Sequence, residues 1–323
     1  MRHEPAQPLA SGSDTQEMRD RRLMPNRPKP RNRRQTLRYG LTVAAFLLPS
    51  ALPLAAFVYY PLGQAIWTSF QQWNLISPQK WIGSDNYKSL LADPSTAAVF
   101  WHSAQYLIAY LPLVYVFALG IALALNSRLA GRNFFRSIYF LPVVTSWIAV
   151  ALVWRWLLNP NSGAVNAVLG WLGLPGPGWY NDPHWAMASV VLASVWKDTG
   201  FVMVILLAGL QSIPVEIEES ALLDGANWIQ RLTRITLPLL SPTTFFVLII
   251  SLISGFQIFD QVYAMTQGGP ADASRVVVLE IYDLTFRYGQ AGRASALSMM
   301  LFVVILAISV IQLRGQRRWV HYA

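Results

Sequence analysis

The chain contains no cysteine, which removes disulfides, thiolate metal sites and cysteine nucleophiles in one step. Lysine is almost as scarce: Lys29, Lys80, Lys88 and Lys197 are the full set, and none follows a glycine. A phosphate-cradling loop of the Gly-Lys-Ser/Thr kind is therefore excluded, and with it an ATPase of that type. His3, His102, His184 and His321 are scattered without metal-ligand spacing. No nucleophile stands in a recognisable relation to a base, so the chain is expected to be no enzyme, with neither a metal nor a cofactor of its own. Charge is depleted as well, at 13% of 323 residues, where an ordinary soluble chain carries roughly a quarter.

What fills the space is apolar. Hydrophobic residues make up 54% of the chain, and 13 Trp, 13 Tyr and 15 Phe form an aromatic load suited to bilayer interfaces. A hydrocarbon core about 30 Å thick needs roughly 20 mainly apolar residues per helix. Six segments satisfy that requirement, near 39–62, 102–126, 136–158, 186–210, 238–260 and 294–313. The fold expected is an all-α integral membrane domain over 37–314. Pro49 and Pro53 predict a kink in the first span. In the second, Ala118, Gly120, Ala122 and Ala124 either admit a close neighbouring helix or make a merely flexible apolar one.

The formal net charge of +9 is concentrated at one end. Arg2, Arg19, Arg21, Arg22, Arg27, Lys29, Arg31, Arg33, Arg34 and Arg38 all precede Tyr39, with no aromatic residue among them. That pattern is a topology signal with a capacity for anionic lipid, and it argues against nucleic acid. Residues 1–36 read as a disordered basic cytoplasmic tail, with no signal peptide because no small-residue cleavage site follows. With the N-terminus inside, the inner segments add Arg128, Arg132, Arg136, Arg231, Arg234, Arg314, Arg317 and Arg318. The outer loops hold Lys80, Lys88, Arg275, Arg287 and Arg293. Eighteen basic residues against five place both termini, including a tail over 315–323, in the cytoplasm. The outer loops 63–100 and 159–185 carry Trp67, Trp73, Trp81, Trp171, Trp179, Tyr180 and Trp185, which anchor short interfacial helices or form an aromatic docking surface.

The inner loop 212–237 holds the densest pattern. Pro214 suits a first helical turn, and Glu216, Glu218 and Glu219 sit near its positive end. Ile217, Ala221, Leu222 and Leu223 give one apolar face, and Gly225 ends the helix. Asn227 caps a second helix through Ile229, Leu232 and Ile235, and Pro238 opens the next span. Two short amphipathic helices meeting at a bend either lie on the membrane surface or act as a lever in another protein's groove.

This loop resembles the signature of binding-protein-dependent ABC importer permeases: Glu-Ala-Ala, three residues, Gly, nine residues, Ile-x-Leu-Pro. Here it runs Glu219-Ser220-Ala221, Gly225, and Ile235-Thr236-Leu237-Pro238, with Ser220 as the one departure. Tyr60-Pro61, Trp67-Thr68-Ser69-Phe70, Ile82 to Tyr87, Phe135-Arg136-Ser137 through Leu141-Pro142, and Phe259 to Pro270 resemble the carbohydrate-uptake branch. The resemblance implies a type I importer permease in a bacterial plasma membrane. Its solute would be a sugar, oligosaccharide, polyol or glycerol phosphate. It also implies a second, similar permease, two ATPase subunits that bind ATP and magnesium, and an external solute-binding protein. Glu219, Ser220, Ala221, Leu222, Leu223, Gly225, Ile235, Leu237 and Pro238 would couple to the ATPases.

Charges inside spans are costly and mark function by default. Arg155, Lys197, Asp198 and Asp260 are such charges, with Trp154 and Trp196 beside them as sugar-stacking candidates. The alternative is that Lys197 and Asp198 are satisfied locally, or by Arg155, in a polar seam. An ion-driven secondary transporter is the rival function, but no inverted repeat or mid-membrane acidic site is visible. A purely structural or receptor subunit leaves the docking loop without a role.

Overall fold

The computed structural model describes residues 33–127 and 131–319. The reading of 1–36 as a tail therefore lies mostly outside the described residues, and its last four residues are helical. The described chain forms two compact units that divide after Pro61.

In the first unit, α1 (Arg33–Leu54) carries Pro49 and Pro53 and passes into a π-helical turn at Ala55–Tyr59. A proline lacks the amide hydrogen its turn requires, so the wider turn directly after Pro53 follows from the sequence. Helix α2 (Tyr60–Ser69) continues from that turn.

The second unit begins at Leu62, within α2, and continues with a two-residue antiparallel ribbon, β1 (Gln71–Gln72) on β2 (Lys80–Trp81), and the short α3 (Asp85–Ala92). The long α4 (Pro94–Asn126) starts at an Asp93 cap that accepts from the Ser95 amide at 3.0 Å. Hydrogen bonding by the Ser95 side chain, and then by its amide, lowers the Asp93 pKa, and Arg293 adds to it. Helices α5 (Arg132–Val144) and α6 (Trp147–Leu157) follow, then α7 (Ala164–Trp171) and the central α8 (Ala186–Gln211). Beyond α8 come α9 (Val215–Leu223), α10 (Trp228–Arg231), a π turn at Leu232–Thr236, α11 (Leu237–Leu239) and α12 (Ser241–Phe256). The chain closes with α13 (Asp260–Met265), α14 (Val277–Tyr282) and α15 (Ala291–Trp319).

Among the described residues, four helical stretches are long and apolar enough to cross a bilayer: Thr42–Ser69, Pro94–Asn126, Ala186–Gln211 and Ala291–Gln316. Two bent pairs complete the six. Arg132–Val144 and Trp147–Leu157 meet at 100°, and Trp228–Leu239 and Ser241–Phe256 at 66°. The straight third span expected over 136–158 is therefore broken at Thr145–Ser146. Three β-branched residues, Val143 to Thr145, follow Pro142 there, and Thr145 and Ser146 take extended backbone angles. The fifth span, expected over 238–260, bends at Leu240, where Pro238 and Pro242 on either side each withhold an amide donor. It ends at Phe256, so Asp260 opens α13 instead of closing that span. The last helix runs through Trp319, five residues into the segment read as a tail.

Helix α8 is the spine, with Val190, Ala193, Met203, Leu206 and Leu207 fully buried. Its Gly200 lies so close to α5 that an added Cβ would overlap the Tyr139 carbonyl oxygen. At Gly209 the same atom would sit 2.8 Å from Leu240, at the second bend. Both breaks are thus packed against α8. In α4 only Ala118 and Ala122 of the four small residues are buried, at the helical spacing that meets α8, while Gly120 faces open space.

The loop between α13 and α14 is anchored by charge. Arg275 reaches Glu280 at 2.5 Å and the wholly buried Asp283 at 2.7 Å, and Arg287 lies 3.0 Å from the second Asp283 oxygen as an unaligned ion pair. Burial works against the Arg275 charge, but the carboxylates of Glu280, Asp283 and Asp272 outweigh it and hold its pKa above the usual value. The loop tryptophans divide in the same way. Trp179 is buried and donates to Asn166 at 2.6 Å, whereas Trp171 is exposed.

Candidate functional site

Two places carry the side chains singled out by sequence. In the loop after α8, Pro214 takes an extended ψ of 131° just before α9. The helix ends as the sequence predicts: Gly225 adopts a φ of +77°, and the amides of Gly225 and Ala226 bond to the carbonyls of Leu222 and Ala221 at 3.1 and 3.0 Å. Asn227 and Gln230 form a reciprocal capping box at 2.8 and 2.9 Å.

The turn at Gly225 and the cap at Asn227 are thus made within the loop, yet its apolar side chains are not covered. Ile217 and Ala221 turn inward, while Leu222 is 53% and Leu223 89% exposed, with Val215, Trp228 and Ile229 also in the open. Glu219 is exposed, with no hydrogen bond or ion pair among the described residues. Ser220, the departure from the family pattern, turns its hydroxyl back onto the Glu216 carbonyl at 2.5 Å. Ile235, Leu237 and Pro238 lie half-buried where the loop rejoins the spans. Beneath the loop, Glu218 and Arg231 face a cavity of about 210 Å³ closed by Asn126 and Ser127.

The second place is a cavity of about 330 Å³ walled by α4, α5, α6, α8, α12 and α13. Asp198 and Asp260 line it, as do Tyr106, Tyr110, Ser251, Ser254, Gln257 and Gln261. Asp198 accepts a hydrogen bond from the Tyr110 hydroxyl at 2.9 Å. Polar groups converge there within an otherwise apolar body, with Trp147 and Phe259 as apolar walls.

The remaining path candidates are elsewhere. Trp154 and Trp196 meet edge-on, 6.0 Å apart, in a different and largely apolar cavity of about 380 Å³. Successive residues of a helix point about 100° apart, so Trp196 and Asp198 address different neighbours and cannot share a sugar ring. Arg155 is exposed, with a long 3.4 Å contact to the Ala264 carbonyl and Tyr180 below its guanidinium at 5.4 Å. Lys197 is buried and donates to the carbonyls of Pro142, Val143 and Thr145, each at 2.9 Å. The local seam therefore exists, but backbone oxygens satisfy Lys197 and Arg155 takes no part in it. Sequence reasoning missed Tyr106, Tyr110, Gln257 and Gln261 because uncharged polar residues carry no local signal. Among the described residues no group of three His, Asp or Glu is placed to hold a metal.

Comparison with known proteins gives the family of the chain. Residues 116–320 match the model of the binding-protein-dependent transport system inner membrane component. A probable ABC transporter permease protein, YesP of Bacillus subtilis, is 36% identical over 86% of this chain and 91% of its own length. The trehalose/maltose transport system permease protein MalF of Thermococcus litoralis is 33% identical over 84% of this chain and 92% of its own. A solved bacterial alginate ABC transporter, in complex with an alginate pentasaccharide-bound periplasmic protein, has a chain that superposes with a TM-score of 0.77. It is 25% identical and covers 88% of this chain and 96% of that one. This chain therefore belongs to the family of binding-protein-dependent transport system inner membrane components, as a transport subunit without an ATPase site of its own.

Proposed function

We propose that this chain forms half of the translocation path of an ATP-driven carbohydrate importer in a bacterial plasma membrane, with both termini cytoplasmic. The observation that carries the solute class is the cavity beside α8. Two carboxylates, two glutamines, two serines and two tyrosines there offer donors and acceptors, with aromatic walls, but no cation. That set suits neutral sugar hydroxyls better than glycerol phosphate, and Arg155 and Lys197, the cations that would favour phosphate, lie outside it. The relative named for trehalose/maltose transport supports a neutral sugar or oligosaccharide.

In this reading a second, similar permease completes the pore and two ATPase subunits bind ATP and magnesium. An external solute-binding protein delivers the sugar. The helices on either side of Gly225 sit in an ATPase groove, and ATP-driven closure of the ATPase pair moves the spans that they join. Exposed Leu222 and Leu223 supply docking area, and Glu219 is left free for a polar contact. The test is uptake of radiolabelled trehalose, maltose and alginate oligosaccharides into proteoliposomes that hold the co-purified complex, with and without ATP, binding protein and an ionophore. Uptake that requires ATP and binding protein and ignores the ionophore is expected. Uptake by this chain alone that collapses with the ionophore would make it a secondary transporter.

A further inference from the structure

The bend in the third span is held from outside that span. At the end of helix α5, where the dipole is negative, the Pro142 carbonyl also accepts the Thr145 amide at 3.2 Å and the i→i−4 ladder stops. The Lys197 ammonium has three donors, and the carbonyls of Pro142, Val143 and Thr145 take all three at 2.9 Å. The same ammonium lies 5.1 Å from the ring centroid of Trp147, the first residue of α6. One buried side chain of α8 thus grips both arms of a 100° bend.

The residues it grips are not remote from the solute cavity. Val143 and Trp147 are part of the cavity wall, and Asp198, the next residue after Lys197, faces into it and binds Tyr110. We propose that Lys197 is a positioning residue for transport: it clamps the broken third span to α8 and so sets the Val143–Trp147 wall against Asp198. The clamp explains why a lysine is tolerated in a buried stretch of a spanning helix without a paired carboxylate. Backbone carbonyls on a broken helix offer the concentrated negative potential that a carboxylate would otherwise supply.

This inference rests on reading the cavity as the solute path, and the two are separable by experiment. Because the chain has no cysteine, Leu141→Cys and Leu152→Cys accept one spin label on each arm of the bend, both at exposed positions outside the cavity. The distance between the labels is measured by pulsed electron paramagnetic resonance in the assembled, nucleotide-free complex. A single narrow distance is expected with Lys197 and with Lys197→Arg, and a broad distribution with Lys197→Met. If the cavity is the path, the Met variant also needs about tenfold more sugar for half-maximal uptake at a similar maximal rate, since fewer molecules hold the competent wall. The Arg variant restores the parent value. An unchanged narrow distance in Lys197→Met overturns the proposal, as does equal broadening in Lys197→Arg, because cationic capping is then not what holds the bend. Normal uptake with Asp198→Asn would instead count against the cavity as the path, and the distance measurement would still decide the role of Lys197.

Discussion

The loop around Gly225 and the cavity around Asp198 solve opposite problems. The loop builds its turn and its cap from within, through the Gly225 turn and the Asn227–Gln230 box, and leaves its leucines in the open. The cavity gathers polar groups from several helices inside an apolar body and leaves part of their hydrogen-bonding capacity for something else. A rigid unit with bare apolar side chains fits a partner's groove, and a buried polar chamber fits a small solute. The first should respond to changes in shape and apolar area, the second to changes in hydrogen bonding.

The largest effect that separates the two is expected from Gly225→Pro. Proline cannot take the +77° φ of that turn, so uptake should vanish while membrane insertion and sugar binding persist. Normal transport by this variant would end the lever account. Next comes the double change Leu222→Asp with Leu223→Asp. Burying a leucine contributes about 1.5–3 kcal/mol, so docking of the ATPase subunits should weaken about a hundredfold or more in a pull-down titration, without loss of folded protein.

On the cavity side, Asp198→Asn keeps the shape and removes the charge. A hydrogen bond to a charged group contributes about 1.5–3 kcal/mol, so the half-saturating sugar concentration should rise about tenfold or more. ATPase docking should stay unchanged, and a docking defect would dissolve the separation between the two regions. The smallest effect belongs to Ser220→Ala. Its hydroxyl serves only its own helix, so both docking and uptake should stay within about twofold, in line with surface changes of at most about 0.5 kcal/mol.

The same contrast explains what was legible from sequence. The loop depends on residues within a few positions of one another, so Pro214, Gly225, Asn227 and Pro238 announce its turns and caps by their spacing alone. The six spans are equally local, being runs of apolar residues. The bends are less so. Pro238 and Pro242 flag the one at Leu240, but the break at Thr145 is completed by Lys197, more than fifty residues away. The cavity is tertiary throughout. Charge within a span marks Asp198 and Asp260, but it marks Arg155 and Lys197 equally, and of those two Lys197 serves the framework and Arg155 is exposed. Trp196 and Asp198 are two apart in sequence, close enough to suggest a shared sugar site, yet that spacing turns them to different sides of a helix.

The most direct test of the docking claim uses the absence of cysteine. Leu223→Cys and, as a control, Trp171→Cys place single thiols at two highly exposed positions, 89% and 88% accessible. Each is treated with a short thiol-to-amine cross-linker in the assembled complex. The account predicts that the thiol at 223 joins this chain to an ATPase subunit and the thiol at 171 does not. A cross-link from 223 to the solute-binding protein, or an ATPase cross-link from 171, would contradict it.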